Sequence, residues 1–290
     1  MKTFLIVVSL LMNGLALAQS NWPLINYDAY NSKWAKSETK LKPPLKLVKA
    51  FGEADGAIAY FNGVVYSGYS DTPNRVVAYS LDTEQELWRF AIPGSRAGMG
   101  FSPAVSDSIL LIGAQVSDSL YALNRFTGKV VWRLETFGLY ARNACITDDR
   151  VYILGNRLYC LDLKSGREIW RFIVGGQTSP AVDGEHVYIG GRVIDKKTGL
   201  EVYSFSMNGM DPIVLDDNLF YFTARDSLCA VEKKIWKKKW AAPIPQGLWN
   251  NLYGGCTAVT DKTVTFVLWA NWPAPAAIYT LNKENGQELW

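Results

Sequence analysis

Two kinds of hydrophobic segment alternate along the chain from about residue 50. One, such as Leu120-Tyr-Ala-Leu, is short and apolar and breaks at a polar residue, here Asn124. The other, such as Lys129-Val-Val-Trp-Arg-Leu, alternates polar and apolar positions. Both read as strands, and the polar residues between them read as turns. Gly128, Gly166, Gly199 and Gly286 each stand four residues before an aromatic residue, where a hairpin needs positive φ. Aligned on that aromatic, the copies end at Trp88, Trp132, Trp170, Tyr203, Trp240 and Trp290, spaced by 44, 38, 33, 37 and 50 residues. Glu84 and Trp236 take the glycine's place in two copies. Those two hairpins are expected to be distorted or wider.

A second recurring piece lies upstream of each hairpin. The stretch from Ser102 to Gly113 matches that from Ser179 to Gly190; Asp211 to Phe222 follows the same plan, and Ala57 to Gly68 fits more loosely. Each reads as strand, polar turn, strand. With the hairpin this makes four strands every forty or so residues. That pattern predicts an all-β chain: a β-propeller of four-stranded antiparallel blades, with about six blades present. A β-sandwich would leave the phased aromatics without a reason. The large side chain at the repeat's end is expected to plug the gap between neighbouring sheets.

The start of the chain differs. Lys2, the apolar run from Phe4 to Met12 and the small-x-small Ala16-Leu17-Ala18 read as a signal peptide over residues 1–18, cut after Ala18. The apolar run is short for a membrane span, and no later segment approaches one. Residues 19–44 read as a lead-in segment and 45–290 as the propeller. Leu45-Lys-Leu-Val-Lys-Ala-Phe51 has the pattern of an outer strand, while Trp290 falls partway through another. The expectation is an incomplete ring of seven or eight blades, the alternative six blades with redundant strands.

Composition adds a little. Hydrophobic residues make up 49% and charged residues 20% of the 290, which are globular values. The net charge of +3, or +2 without Lys2, gives no reason to expect a nucleic-acid partner. The one basic run, Lys233 to Lys239 with Ile235 and Trp236 inside it, reads as a solvated outer edge that guards against edge-to-edge pairing. Cys145, Cys160, Cys229 and Cys256 have neither metal-ligand nor redox spacing. They read as small buried hydrophobes, with Cys145 and Cys160 two strands apart and too far for a bridge.

The motif Leu-Asp-x-x-Thr/Ser-Gly-Lys/Arg-x-x-Trp resembles the pyrroloquinoline-quinone-like repeat. Asn21-Trp-Pro-Leu and Leu41-Lys-Pro-Pro-Leu-Lys-Leu are similar to the segment that precedes the first blade in such exported proteins. The resemblance covers about residues 21–290. It implies structural roles for Trp88, Gly128, Trp132, Gly166, Trp170, Gly199, Tyr203, Trp240, Gly286 and Trp290. It also implies a non-catalytic binding or interaction scaffold in the periplasm or outside the cell, similar in repeat type to the propeller lipoprotein of outer-membrane β-barrel assembly. The chain departs from that protein in having Gln19, not a cysteine, after the cleavage site. No cofactor is expected. The alternative is a quinone-dependent dehydrogenase or a fragment of one, which would need pyrroloquinoline quinone, calcium and adjacent cysteines; no Cys-Cys pair is present.

Candidate ligand residues fall on the segments joining one blade to the next. Arg96, Arg142, Asn143, Gln177, Asn208, Trp249 and Asn250 would suit a polar or anionic ligand. Trp249, Trp269 and Trp272, beside asparagines, would stack on sugars in a carbohydrate-binding propeller. The partners expected are envelope proteins or glycans. The single histidine, His186, falls in a turn and is expected to be solvated, with no nucleophile beside it. No catalytic set and no metal site is predicted.

Overall fold

A computed structural model of the chain describes residues 58–69, 73–95, 102–114, 119–135, 144–175, 178–207, 212–244, 248–249, 257–270 and 277–290. The signal peptide, the lead-in and the strand-like segment from Leu45 to Phe51 lie outside them. The described residues form six antiparallel sheets in chain order. Blade 1 is β1 (Ile58–Phe61), β2 (Val64–Tyr69), β3 (Arg75–Ser80) and β4 (Glu86–Ala91). Blade 2 is β5 (Ala104–Val105), β6 (Ile109–Ala114), β7 (Ser119–Asn124) and β8 (Val130–Glu135). Blade 3 is β9 (Cys145–Thr147), β10 (Arg150–Leu154), β11 (Leu158–Asp162) and β12 (Glu168–Phe172). Blade 4 is β13 (Ala181–Val182), β14 (His186–Ile189), β15 (Arg192–Asp195) and β16 (Glu201–Ser204). Blade 5 is β17 (Val214–Leu215), β18 (Leu219–Thr223), β19 (Ser227–Glu232) and β20 (Lys237–Pro243). Blade 6 is β21 (Leu248–Trp249), β22 (Thr257–Val259), β23 (Thr263–Ala270) and β24 (Ala277–Asn282).

The first five blades are plain meanders. In the sixth, β23 pairs with β21, β22 and β24. The outer strand of this blade is only begun, through the bridge Leu281–Glu288 and main-chain bonds between Thr280 and Trp290. The innermost strands β1, β5, β9, β13, β17 and β22 neighbour one another in that order, so the sheets fan around an axis. Four apolar clusters fill the wedges between blades rather than one central core.

One junction recurs. The indole Nε1 of Trp88 donates to the carbonyl of Arg125 at 2.9 Å, in the hairpin turn of the next blade. Trp132 does the same to Leu163, Trp170 to Lys196 and Trp240 to Lys283. Each indole face covers the turn's glycine so closely that a Cβ on Gly128 or Gly166 would lie 2.6 Å from a ring atom. Those glycines also hold φ near +70°, so the residue must be small and left-handed at once. The residue opposite each of these tryptophans across its own hairpin is small: Ala78, Ala122, Cys160 and Ala230. A register shift just beyond it, found in these four hairpins and also in that of Tyr203, aims the aromatic at the next blade. The turn's opening residue builds the loop. Asn124 Oδ1 accepts the N–H groups of Phe126 and Thr127, and Asp162, Asp195 and Asn282 repeat the arrangement. Trp290 is the exception: its side chain is 73% exposed, with no described turn against it.

The expectation of distorted hairpins at Glu84 and Trp236 is corrected. Both take the glycine's left-handed conformation, at φ 55° and 54°, and both hairpins keep the common register shift. Main-chain bonding of the turn outweighs the small cost of a left-handed non-glycine residue. At Trp236 the steric account also balances. The preceding blade offers Tyr203 in place of tryptophan, and the two rings stack with centroids 5.2 Å apart and planes 12° apart. The bulk missing on one side of the junction is supplied from the other.

Cys145, Cys160 and Cys229 are buried free thiols, and Cys256 lies outside the described residues. Cys145 and Cys160 sit opposite Tyr152 on the strands flanking β10, two strands apart.

Two outcomes are expected in urea denaturation followed by circular dichroism. Trp132→Ala should cost about 3–5 kcal/mol, as for other buried tryptophans. In a double-mutant cycle, Tyr203→Trp and Trp236→Gly should each destabilise alone and offset one another when combined, with a coupling of about 1–3 kcal/mol. Additivity would show that the exchange of bulk is incidental.

Candidate functional site

Strand direction divides the propeller into two faces. The turns from first to second strand and from third to fourth strand share one face; the other face carries the links between second and third strands and between blades. Arg96, Arg142, Asn143, Gln177, Asn208, Asn250 and Trp272 lie outside the described residues. Trp249 and Trp269 are described through their main chain, where they pair in register between β21 and β23. The structure therefore brings those two positions together and leaves the other seven unplaced.

The polar side chains of the turn face interlock from blade to blade. Asp183, in the first turn of blade 4, accepts the N–H groups of Glu185 and His186 through Oδ1. Its Oδ2 accepts the Tyr188 hydroxyl at 2.9 Å and meets Lys233 Nζ of blade 5 at 3.0 Å. Asp216 of blade 5 repeats the set, with the N–H groups of Asn218 and Leu219, the Tyr221 hydroxyl at 2.8 Å and Lys283 Nζ of blade 6 at 3.2 Å. Blade 1 has a simpler version, in which Arg125 Nη1 of blade 2 donates to the Tyr66 hydroxyl at 3.2 Å. At blade 3, Lys196 Nζ of blade 4 donates to Asp148 and to the Asp183 carbonyl. The cation always stands one residue after the turn's opening residue, and in three of these turns, at Arg125, Lys196 and Lys283, its main-chain carbonyl is the one that receives the tryptophan.

Burial shapes the titration of these groups. For Asp183, burial alone raises the pKa, but Lys233 and the two main-chain N–H groups outweigh it and hold it below the ordinary 3.8. For Asp216, burial likewise raises it, and the N–H of Leu219, the Tyr221 hydroxyl, the N–H of Asn218 and Lys283 bring it below 3.8. Tyr221 is pushed far up by burial and by the Asp216 charge. Tyr152 is pushed up chiefly by burial, beside Cys160 and Arg150.

Two expectations are corrected here. His186 is not solvated: its side chain is 18% exposed, edge-on to Trp236 at 5.2 Å and 3.9 Å from Asp183. The basic run is not wholly an outer edge, because Lys233 and Trp236 turn inward against blade 4. Both lie in the turn between β19 and β20, where the neighbouring blade offers a carboxylate to Lys233 and a ring to Trp236. Sequence reasoning missed the latch itself. Its signal was available in the aligned Asp-x-x-x-x-Tyr of Asp183–Tyr188 and Asp216–Tyr221.

Among the described residues no group of three or more His, Cys, Asp or Glu side chains is placed to hold a metal. Among the described residues Cys145 and Cys160 are separated by β10 instead of adjacent, and Asp148, Asp183 and Asp216 of the turn face are met by lysines. Among the described residues no helix is long and apolar enough to cross a membrane.

The latches make acid sensitivity predictable. A carboxylate whose pKa is depressed in the folded state contributes stability that is present above its unfolded value and lost as pH falls through the folded one. Asp216→Asn should cost about 3 kcal/mol near neutral pH, because Lys283 is left buried without its partner. The wild type should lose that advantage progressively as the pH drops below about 4, while the variant's stability should change less. Urea midpoints measured at a series of pH values would show the two curves converging in acid.

Comparison with known proteins agrees with this geometry. The family model described as outer membrane protein assembly factor BamB matches residues 72–171 and again residues 155–290. No curated protein matches the chain. Among solved structures, the crystal structure of BamB from Moraxella catarrhalis aligns with a TM-score of 0.63 at 18% identity, over 82% of this chain and 75% of that one. A computationally designed protein, Ika8, aligns with a TM-score of 0.58 at 16% identity, over 77% of this chain and 70% of that one. A europium-containing methanol dehydrogenase reaches a TM-score of 0.48 at 14% identity, too distant a likeness to bear on activity. The two matched stretches together run from residue 72 to residue 290, most of the chain, and the chain belongs to the family of pyrroloquinoline-quinone-like repeat propellers described as outer membrane protein assembly factor BamB.

Proposed function

We propose that the chain is an exported, non-catalytic propeller that serves as a protein-interaction scaffold in the cell envelope. The observation that carries the reading is the family match over residues 72–290. Assembly of outer membrane proteins, the task in that family's description, is one of holding proteins together. The latches support the reading from the other side. The recurring polar residues of the turn face, Asp183, Lys233, Asp216 and Lys283, are engaged in joining blades and are not free to act on a substrate. Export rests on the leader-like residues 1–18, and the scaffold works on this reading without pyrroloquinoline quinone or calcium. Its ligands are proteins, presented to a rigid fan of sheets through the segments that join one blade to the next.

The test is affinity capture of the tagged protein from envelope extract after chemical crosslinking, with partners identified by mass spectrometry. A small, reproducible set of envelope proteins is expected. Recovery of no partner would overturn the reading. So would saturable, calcium-dependent quenching of tryptophan fluorescence by pyrroloquinoline quinone in the folded protein.

A further inference from the structure

The outer strands follow a rule that one blade breaks. Two residues before the repeat's aromatic stand Glu86, Glu168, Glu201 and Glu288, with Val130 in blade 2; blade 5 has Lys238. One residue before it stand Leu87, Val131, Ile169, Val202 and Leu289; blade 5 has Lys239. In blades 1 to 4 the outer-strand charges are compensated locally, through Glu86–Arg89, Arg133–Glu135, Glu168–Arg171 and Arg192–Glu201. In blade 5 only Lys239 is compensated, by Glu284 of blade 6. Lys234, Lys237 and Lys238 are exposed and have no ion pair among the described residues. The nearest acid on the same blade, Glu232, faces Lys237 across the hairpin and leaves the group positive.

This basic stripe adjoins a groove of about 350 Å³ between the turns of blades 5 and 6, which is itself balanced in charge, lined by Asp216, Glu232 and Glu284 and by Lys234, Lys239 and Lys283. Ile235 stands at the stripe's tip, 60% exposed, where the other turns carry Thr83, Thr127, Ser165, Thr198 and Asn285. β20 pairs on one side only among the described residues, with β19. An outer strand of this kind offers main-chain donors and acceptors to another extended segment, and uncompensated lysines reject a like-charged one.

We propose that the outer edge of blade 5 is a docking surface for an acidic, extended segment of a partner protein, held by Lys234, Lys237 and Lys238 beside the groove. The proposal rests on the scaffold reading and names the chemistry of one partner. A protein segment fits better than an anionic membrane. Three lysines are fewer than the four to eight that mark lipid-binding clusters, and a lipid surface makes no use of a strand edge. Charge complementarity here sets the encounter and the choice of partner, and it weakens with salt.

The test uses the full mature protein and a fluorescein-labelled peptide of alternating glutamate and valine, followed by fluorescence anisotropy. The variant K234E/K237E/K238E is compared with K129E/K197E/K262E, which reverses three exposed lysines on other blades and changes the net charge equally. The peptide is expected to bind the wild type and the control alike and the blade 5 variant about tenfold more weakly or worse, with affinity falling as ionic strength rises from about 0.01 M to about 0.15 M. All three proteins should show the same thermal midpoint, since the altered side chains are exposed. Absence of peptide binding, equal weakening in both variants, or stronger retention on phosphatidylglycerol vesicles than by the peptide would each overturn the proposal. Envelope capture with the blade 5 variant separates it from the broader reading. Loss of one partner with the rest retained supports the docking surface. Retention of every partner removes the docking surface and leaves the scaffold. Failure of the wild type to capture anything removes both.

Discussion

The docking of one blade's indole on the next blade's turn is the contact from which the rest of the architecture follows. A four-stranded antiparallel sheet has two apolar faces and cannot bury both alone. Here blades 2 to 5 each hand an aromatic forward and receive one from behind. The indole must lie flat, so the turn residue beneath it has no side chain. The indole N–H must find an acceptor, so the turn presents a carbonyl at a fixed place. The ring needs room on its own hairpin, so alanine or cysteine stands opposite. Asp or Asn, Thr or Ser, Gly, Ala and Trp recur because one steric and hydrogen-bonding arrangement requires all of them. The free thiol of Cys160 belongs to that account as the small residue under Trp170.

The junction between blades 4 and 5 shows that the requirement is on volume and not on residue identity. Tyr203 and Trp236 exchange the large and small roles, and Phe205, Phe220 and His186 gather around the exchange. The polar latch at the same junction is kept, with Lys233 still reaching Asp183. Two devices therefore hold blades 4 and 5 together, and blades 5 and 6 likewise: an aromatic lock, and a charge-assisted latch at the turn face. The latch is costly to half-remove, because either ion alone would be left buried. That asymmetry favours retaining both partners even where the ring contact is rewritten.

Fold and lock were legible in the sequence because their residues are local and repeat. A motif such as Asn124 to Trp132 carries its turn, its glycine and its aromatic within nine positions. The latch was not legible in the same way. Asp183 and Lys233 are fifty residues apart, and each is unremarkable in its own strand or turn; only the fan of sheets brings them within 3.0 Å. His186 was misplaced for the same reason, since the side chain that covers it, Trp236, arrives from the next blade. The failed expectation at Glu84 had another cause. Glycine was treated as a condition of the turn, whereas the turn tolerates a left-handed glutamate where no described indole lies upon it.

This distinction also indicates where function can be sought in a repeat protein. Residues that recur are explained by the lock and the latch, and they say little about what the protein binds. Residues that depart from the repeat divide into two kinds. Tyr203 and Trp236 depart together, and each explains the other across a shared junction. Lys238 and Ile235 depart with no compensating change in any described neighbour: no acid approaches the lysine, and no apolar surface covers the isoleucine. A chain under constraint to keep its outer strands neutral in blades 1, 3 and 4 has no structural use for three uncompensated lysines in blade 5. Their electrostatic cost within the fold is small because they are exposed, and their attraction for an acidic surface is correspondingly available to a partner. Departures without internal compensation are the positions at which the other half of the interaction lies outside the chain.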